Sequence, residues 1–143
     1  MKLLVTGGSG LIGKKILASC EELRINANFL TTRKKKLSQL RNHKGFYWDP
    51  KSGEIDEACF EGVDILIHLA GASISKTWTP KNKKEILERR VNGSRLLRKV
   101  MDEKNLRLRN IICASAIGIY PHSFDETYDE NSPLVGENFL QKV

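Results

Sequence analysis

The opening thirteen residues constrain the fold more than any other part of the chain. Met1-Lys-Leu-Leu-Val-Thr-Gly-Gly-Ser-Gly-Leu-Ile-Gly13 runs from a short apolar stretch straight into Gly7, Gly8, Gly10 and Gly13. Beyond these, Ile12, Ile16, Cys20 and Leu23 recur at spacings of four, four and three, which predicts one apolar face of a helix. Strand, glycine turn and helix in that order are the context in which a glycine motif points to a dinucleotide site. Gly7 or Gly8 lets the chain turn where a Cβ would clash. Gly10 lets the backbone approach a diphosphate, and Gly13 lets the helix pack closely on the strand. The free N–H groups and positive dipole end of the helix then face the phosphates. The competing reading is an ordinary βα turn that happens to be rich in glycine.

A chain of 143 residues suits one domain, 1–143, large enough to bury about two-thirds of its unfolded surface. Hydrophobic content of 40% and charged content of 29% describe a globular protein. No apolar stretch approaches the roughly 18 residues of a membrane span, and a single lysine before three apolar residues is not a signal peptide. Cys20, Cys59 and Cys113 are odd in number and widely spaced. They read as reduced core cysteines of a cytoplasmic protein, with no pair set as a metal clip. The net charge of +7 gathers at Arg33–Lys36, at Lys81–Lys84 and along Arg89, Arg90, Arg95, Arg98 and Lys99. Without interleaved aromatic residues or a nucleic-acid module, this favours solvated helix faces and phosphate pockets over nucleic-acid binding.

Apolar runs alternate with helical patterns, the signature of a doubly wound parallel α/β sheet of about five strands. Strands are expected at Lys2–Thr6, Asn28–Thr32, Gly45–Trp48, Val63–Leu69 and Asn110–Ala114. Helices are expected at Leu11–Leu23 and from Thr79-Pro80 to about Lys104, with Leu37–Asn42 as a helical turn. Thr79 supplies a capping hydroxyl and Pro80 the first turn of the long helix. Leu87, Val91, Ser94, Leu97 and Met101 mark its expected buried stripe. A turn is expected at Asp49-Pro-Lys-Ser-Gly53, and Ser115–Val143 reads as irregular.

The end of the second strand bears on which nucleotide fits. A carboxylate there accepts hydrogen bonds from a ribose 2′-hydroxyl and repels a 2′-phosphate. No Asp or Glu occurs between Glu22 and Asp49; the position reads Thr31-Thr-Arg-Lys-Lys-Lys36. Arg33 can offer a planar donor pair to a phosphate. The expected cofactor is NADP(H) in preference to NAD(H), with Thr32 and Arg33 at the site; a solvated basic loop is the alternative.

The residues resemble the extended short-chain dehydrogenase/reductase superfamily, and within it the epimerase-like NAD-dependent epimerase/dehydratase proteins. The matching pieces are Thr6-Gly-Gly-Ser-Gly-Leu-Ile-Gly13, Thr32-Arg33, Trp48-Asp-Pro50 with Gly53, and His68-Leu-Ala-Gly71. They continue with Trp78-Thr-Pro80, Arg90-Val-Asn-Gly-Ser-Arg95, Ser115-Ala-Ile-Gly-Ile-Tyr120 and Glu130-Asn-Ser-Pro133. The resemblance implies a Rossmann sheet with the cofactor along its carboxyl edge, held by Gly7, Gly10, Leu11, Ile12 and Gly13 of the glycine motif. It implies that Leu69, Ala70 and Gly71 line the adenosine-ribose side and that Ser115 and Ala116 sit beside the nicotinamide. The implied activity is that of an epimerase-like oxidoreductase acting on a small, sugar-like substrate.

The chain also departs from that pattern. Typical members place Tyr-x-x-x-Lys on a helix, where the lysine helps the phenol act as general acid/base. The single such spacing, Tyr47-Trp-Asp-Pro-Lys51, contains a proline and precedes the expected fourth strand, so it is not that helix. Counting back from Tyr120 puts Ala116 where the usual catalytic hydroxyl stands, leaving Ser115 as the candidate one residue earlier. Arg90 stands where many members carry an asparagine. Members run to about twice this length, so the substrate domain is expected to be absent from 1–143. An uncovered sheet edge should then favour a homodimer. Two readings stay open: an NADP-dependent enzyme using other groups, or a non-catalytic NADP(H)-binding or regulatory module.

The remaining candidates have plain structural explanations. His68 reads as a satisfied interior histidine, and His43 and His122 as loop residues without metal-ligand partners. Trp78 reads as a packing anchor. Arg90 and Arg95 are expected on different sides of one helix, with Arg90 able to reach a phosphate or carboxylate. Asp125–Glu130 is either a loop near the cofactor or simple surface.

Overall fold

The computed structural model describes residues 1–34, 43–75, 77–115, 117–134 and 139–142. The elements are β1 (Lys2–Thr6), α1 (Leu11–Glu22), β2 (Asn26–Thr31), β3 (His43–Asp49) and β4 (Glu54–Ile55). After a 3-10 turn at Glu57–Phe60 come β5 (Ile65–His68), α2 (Pro80–Glu103), β6 (Asn110–Cys113), a second 3-10 turn at Ile117–Ile119, and α3 (Phe139–Lys142). The expected helical turn at Leu37–Asn42 and the position of Ala116 lie outside the described residues.

The strands form one sheet in the order β4-β3-β2-β1-β5-β6. Every pairing is parallel except β3 with β4, where Trp48 faces Ile55 and Asp49 faces Glu54. The order reverses at β1: the chain winds outward through β2 and β3, then crosses back to β5 and β6. That reversal opens a crevice at the carboxyl ends of β1 and β5. The sixth strand, β4, is a two-residue hairpin return after Gly53, whose φ of +75° suits the turn. It is too short to register as periodicity.

Alternation along the strands divides the core between two layers. Leu3 and Val5 of β1 join Ala27, Phe29, Leu17 and Cys20 on the α1 side. Leu4 joins Leu30, Phe46, Trp48, Leu66, Leu96, Leu97 and Val100 on the α2 side. Both helices meet the sheet at a different angle from the one their apolar spacing suggests. On α1 the buried residues are Gly13, Leu17 and Cys20, while Ile12 and Leu23 are 60% and 69% exposed. On α2 they are Ile86, Gly93, Leu96, Leu97 and Val100, and Leu87 is exposed. The reason is the same twice. A glycine, which carries no hydrophobic signal, sits at the point of closest approach and sets the rotation of the helix. A Cβ on Gly93 would lie 3.5 Å from both His68 and Trp48.

Two further expectations need correction. His43 is not in a loop: it opens β3, is buried, and its Nε2 lies 2.8 Å from the Leu17 carbonyl. Cys113 is exposed at the end of β6, whereas Cys20 and Cys59 are buried. Burial pushes the Cys59 thiol up to about 12, with the nearby Asp56 and Glu57 adding to the effect.

Candidate functional site

The turn after β1 is shaped by Gly7, which has φ +71°. A Cβ there would lie 2.9 Å from the carbonyl carbon of Leu69. Gly8 has no such φ and instead lies under Leu17 and Phe29. Gly10 donates its N–H to the Gly7 carbonyl at 2.9 Å and stands as the N-cap of α1, with extended backbone and no side-chain capping bond. The first turn of α1 carries no acidic residue, so the dipole end and its N–H groups are not neutralised by a nearby carboxylate. Gly13 is buried beneath the bend, where a Cβ would strike the Gly7 carbonyl and come within 2.7 Å of Gly8 Cα.

A cavity of about 550 Å³ opens over this bend. Its walls come from four strand ends: Gly7 and Gly10 after β1, Thr31 at the end of β2 with Thr32 and Arg33 after it, Tyr47 to Asp49 at the end of β3 with Pro50 and Lys51 after it, and Leu69, Ala70 and Gly71 after β5. Of the positions expected at the cofactor, seven therefore meet around one space. Leu11, Ile12 and Gly13 are not in its lining. Leu11 and Ile12 are 86% and 60% exposed. Arg33 is exposed, and its N–H is held by Thr31 Oγ1 at 3.1 Å. Lys34 sits 4.7 Å above the Tyr47 ring. Sequence reasoning missed the contributions of Tyr47, Lys51 and Arg89, since nothing local shows that the end of β3 and the interior of α2 lie beside the end of β2. It also missed Asp49, the single carboxylate among the described lining residues, whose Oδ1 accepts the Lys51 N–H at 3.0 Å.

Behind Leu69 and Ala70 a hydrogen-bond chain runs from the buried Thr6 and His68 out to the exposed Ser94. Thr6 Oγ1 accepts from the N–H groups of Leu69 at 3.1 Å and Ala70 at 3.0 Å, so its own proton goes to His68 Nδ1 at 2.7 Å. His68 Nε2–H then donates to Ser94 Oγ at 3.3 Å, and Ser94 to the Arg90 carbonyl at 3.1 Å. Donor counting thus fixes the neutral Nε2–H tautomer. Burial, and after it the Arg90 guanidinium, holds the His68 pKa below its ordinary value. His68 is the satisfied interior histidine that its strand position suggested.

A second recess of about 320 Å³ shares Leu69 and Ala70 with the first and is bounded by His68, Arg90, Ser94, Arg95 and Cys113. Arg90 and Arg95 therefore meet at one recess, contrary to the expectation that they diverge. Five residues apart, they straddle Val91 and Ser94. Arg90 Nε is buried without a partner, and its side chain lies 3.5 Å from where a Gly71 Cβ would stand. Ser115 is exposed just beyond β6 and lines neither space. Trp78 is half-exposed, anchored through Nε1 to the Ile74 carbonyl at 2.9 Å and edge-on to Phe139. Asp125–Glu130 is surface; within it Tyr128 stacks on Tyr120 and donates its hydroxyl to Glu126. Among the described residues no group of three acidic, histidine or cysteine side chains could hold a metal ion, and no helix is long and apolar enough to cross a membrane.

The chain is similar to known proteins over nearly its whole length. The model of the NAD dependent epimerase/dehydratase family matches residues 3–139. The epimerase family protein YfhF of Bacillus subtilis is 29% identical over 140 residues, 98% of this chain and 46% of that protein. A Staphylococcus haemolyticus epimerase family protein is 28% identical over 142 residues, again 46% of its own length. The chain thus spans about half the length of the curated relatives it matches. Among solved structures, a human epimerase family protein crystallised with NADPH has a TM-score of 0.76 at 23% identity, covering 99% of this chain and 45% of that one. UDP-glucose 4-epimerase from Bifidobacterium longum, in complex with NAD+ and UDP, has a TM-score of 0.78 at 20% identity with the same coverage. At these identities the structural likeness speaks to the fold.

Proposed function

The chain belongs to the NAD dependent epimerase/dehydratase family, and we propose that its glycine-bend cavity binds the nicotinamide cofactor in the phosphorylated form, NADP(H). The observation that carries this reading is the convergence on one cavity of a glycine bend, an uncapped helix start and the Arg33 guanidinium. The residues fit the group. Side chains at Gly7 and Gly10 would intrude on the bend, so backbone N–H groups face the space a diphosphate needs. Arg33 offers a two-pronged donor to a ribose phosphate. Leu69, Ala70 and Gly71 leave room along the third wall, and Thr6 locks that wall in place through the Leu69 and Ala70 N–H groups. A bound cofactor would supply hydride transfer.

The charge of the lining supports the phosphorylated form. Arg33, Lys51 and Arg89 stand against Asp49 alone, and Asp49 is already engaged by the Lys51 backbone. Titrating the chain with NADPH and NADH by fluorescence tests this. Arg33→Ala should weaken NADPH by roughly ten- to a hundredfold, the worth of a charge-assisted hydrogen-bond pair, and leave NADH within about threefold. Equal losses for both nucleotides, or none, would sink the assignment.

We extend the reading to the intact protein as a cytoplasmic oxidoreductase carrying out a redox step on a small, sugar-like substrate, with no nucleic-acid or membrane partner. Family membership and the named relatives support the oxidoreductase part of this reading. One observation favours a non-catalytic, cofactor-binding role instead. Tyr47 and Lys51 are split between a strand and a turn, and Tyr128 is tied to Glu126, so no described tyrosine is paired with a lysine along a helix. Substrate turnover by the intact protein with bound NADPH separates the two.

A further inference from the structure

The cation cluster at the cavity contains one member that owes nothing to the β2 end. Arg89 stands on α2, one turn before Gly93, the residue at which that helix presses on Trp48 and His68. It lines the glycine-bend cavity, and together with Pro50 and Lys51 it also lines the adjoining recess between α2 and the β3–β4 turn. Arg89 therefore shares the cavity with Arg33 and Lys51, on the side that adjoins the β3–β4 turn. In the structure Arg89 Nη2 is paired with Glu85 Oε1 at 2.7 Å, one helical turn back, with the Arg89 side chain 59% exposed.

Resting on the cofactor reading above, we propose that Arg89 is a second specificity-determining residue, closing on the ribose phosphate from the helix side while Arg33 approaches from the sheet side. Glu85 is its internal competitor. Glu85 occupies one edge of the guanidinium through Nη2, so a phosphate approaching on that edge exchanges the Glu85 partner for the ligand. The exchange is feasible because the Arg89 side chain is exposed, while Glu85 is 33% exposed. An i,i+4 ion pair in water is weak, whereas a phosphate carries more charge and accepts the planar fork bidentately. Unphosphorylated nucleotide presents nothing to drive the exchange. Glu85 thus penalises phosphate binding slightly and leaves the other form untouched, setting the discrimination ratio from a helix that does not carry the glycine motif.

The test is the ratio of NADPH to NADH affinity, read by fluorescence titration at fixed ionic strength for the wild-type chain, Arg89→Ala, Arg89→Lys and Glu85→Gln. Arg89→Ala should lower NADPH affinity roughly tenfold and NADH less than about twofold. Arg89→Lys should fall between, since it keeps the charge and loses the fork. Glu85→Gln should tighten NADPH by about threefold with NADH unchanged. Circular dichroism confirms that each variant is folded, and Glu85→Gln probes the exchange even where Arg89→Ala unsettles α2. An unchanged ratio in both Arg89→Ala and Glu85→Gln overturns the proposal. If in addition Arg33→Ala lowers the ratio, the cofactor reading survives without it; if the wild-type chain binds neither nucleotide, both fall together.

Discussion

β1 and β6 lie in the same sheet, each paired in parallel with β5, yet they live in opposite environments. Leu3, Leu4, Val5 and Thr6 of β1 are all buried. All four residues of β6, Asn110–Cys113, are exposed, with Ile111 and Ile112 at 52% and 53%. The sequences Leu-Leu-Val-Thr and Asn-Ile-Ile-Cys are comparably suited to a strand. What differs is cover. β1 has α1 packed on one face through Leu17 and Cys20, and α2 on the other through Leu97 and Val100. Among the described residues, β6 has a neighbour along one edge only. Strand formation needs a partner ladder; burial needs a layer above and below. The consequence reaches the site. The bend that would hold a diphosphate hangs from the best-anchored strand, while Ser115, the candidate hydroxyl, follows the least covered one.

The largest test of this contrast uses glycines in the two regions. Gly13→Ala drives a methyl into the Gly7 carbonyl and Gly8 Cα, neither of which can move without shifting β1. Overpacking against fixed backbone should cost about 3 kcal/mol, measured by urea denaturation. Gly118, in the turn after β6, has nothing within 4 Å of an added Cβ; Gly118→Ala should stay within about 0.5 kcal/mol. Similar losses in both variants would mean that the β1 end is no more tightly packed than the β6 end.

A smaller effect should appear as pH dependence. His68 is neutral in the fold because burial and Arg90 disfavour its cation, and Thr6 already donates to its Nδ1. A depressed folded pKa means that the stabilisation is complete above the ordinary histidine value of 6.5. It is lost as the pH falls below that value, because the unfolded chain takes up the proton first. Stability should therefore decline between pH 6.5 and 5.5 more steeply than in His68→Gln, which cannot titrate there. Parallel slopes for the two proteins would remove His68 as the cause.

The same contrast explains what could be read in the residues. The β1–bend–α1 unit was legible because its constraints are local: an apolar run, a turn that demands φ above zero, and a helix start lie within thirteen residues. The parallel order followed from alternation, and Arg33 from its place after β2. Helix rotation was not legible, because Gly13 and Gly93 set it through contacts with β1, Trp48 and His68 that no periodicity of side chains reports. Nor were Tyr47, Asp49, Lys51 and Arg89 at the cavity, since only the tertiary fold brings the ends of β2 and β3 beside the interior of α2. Arg90 and Arg95 meet at one recess although a helical wheel separates them, because long flexible side chains can converge from neighbouring turns.

The least energetic and most specific prediction concerns the free edge of β6. Leu66 pairs in register with Ile111 and Ile67 with Ile112, and Leu66 belongs to the α2-side core. Ile111 thus extends the α2 face, and Ile112 the opposite one. Both are half-exposed, and among the described residues no strand pairs with the outer edge of β6. Such an edge is a template for a second strand, and two copies meeting there in antiparallel fashion would satisfy a twofold axis. The chain should therefore dimerise by sedimentation velocity at tens of micromolar. Ile112→Lys places a charge where a paired edge would bury it, and in the monomer that charge remains in water. It should shift the chain to monomer while changing unfolding free energy by no more than about 0.5 kcal/mol. A wild-type chain that stays monomeric at these concentrations, or a dimer indifferent to Ile112→Lys, would show that the exposed face does not drive association.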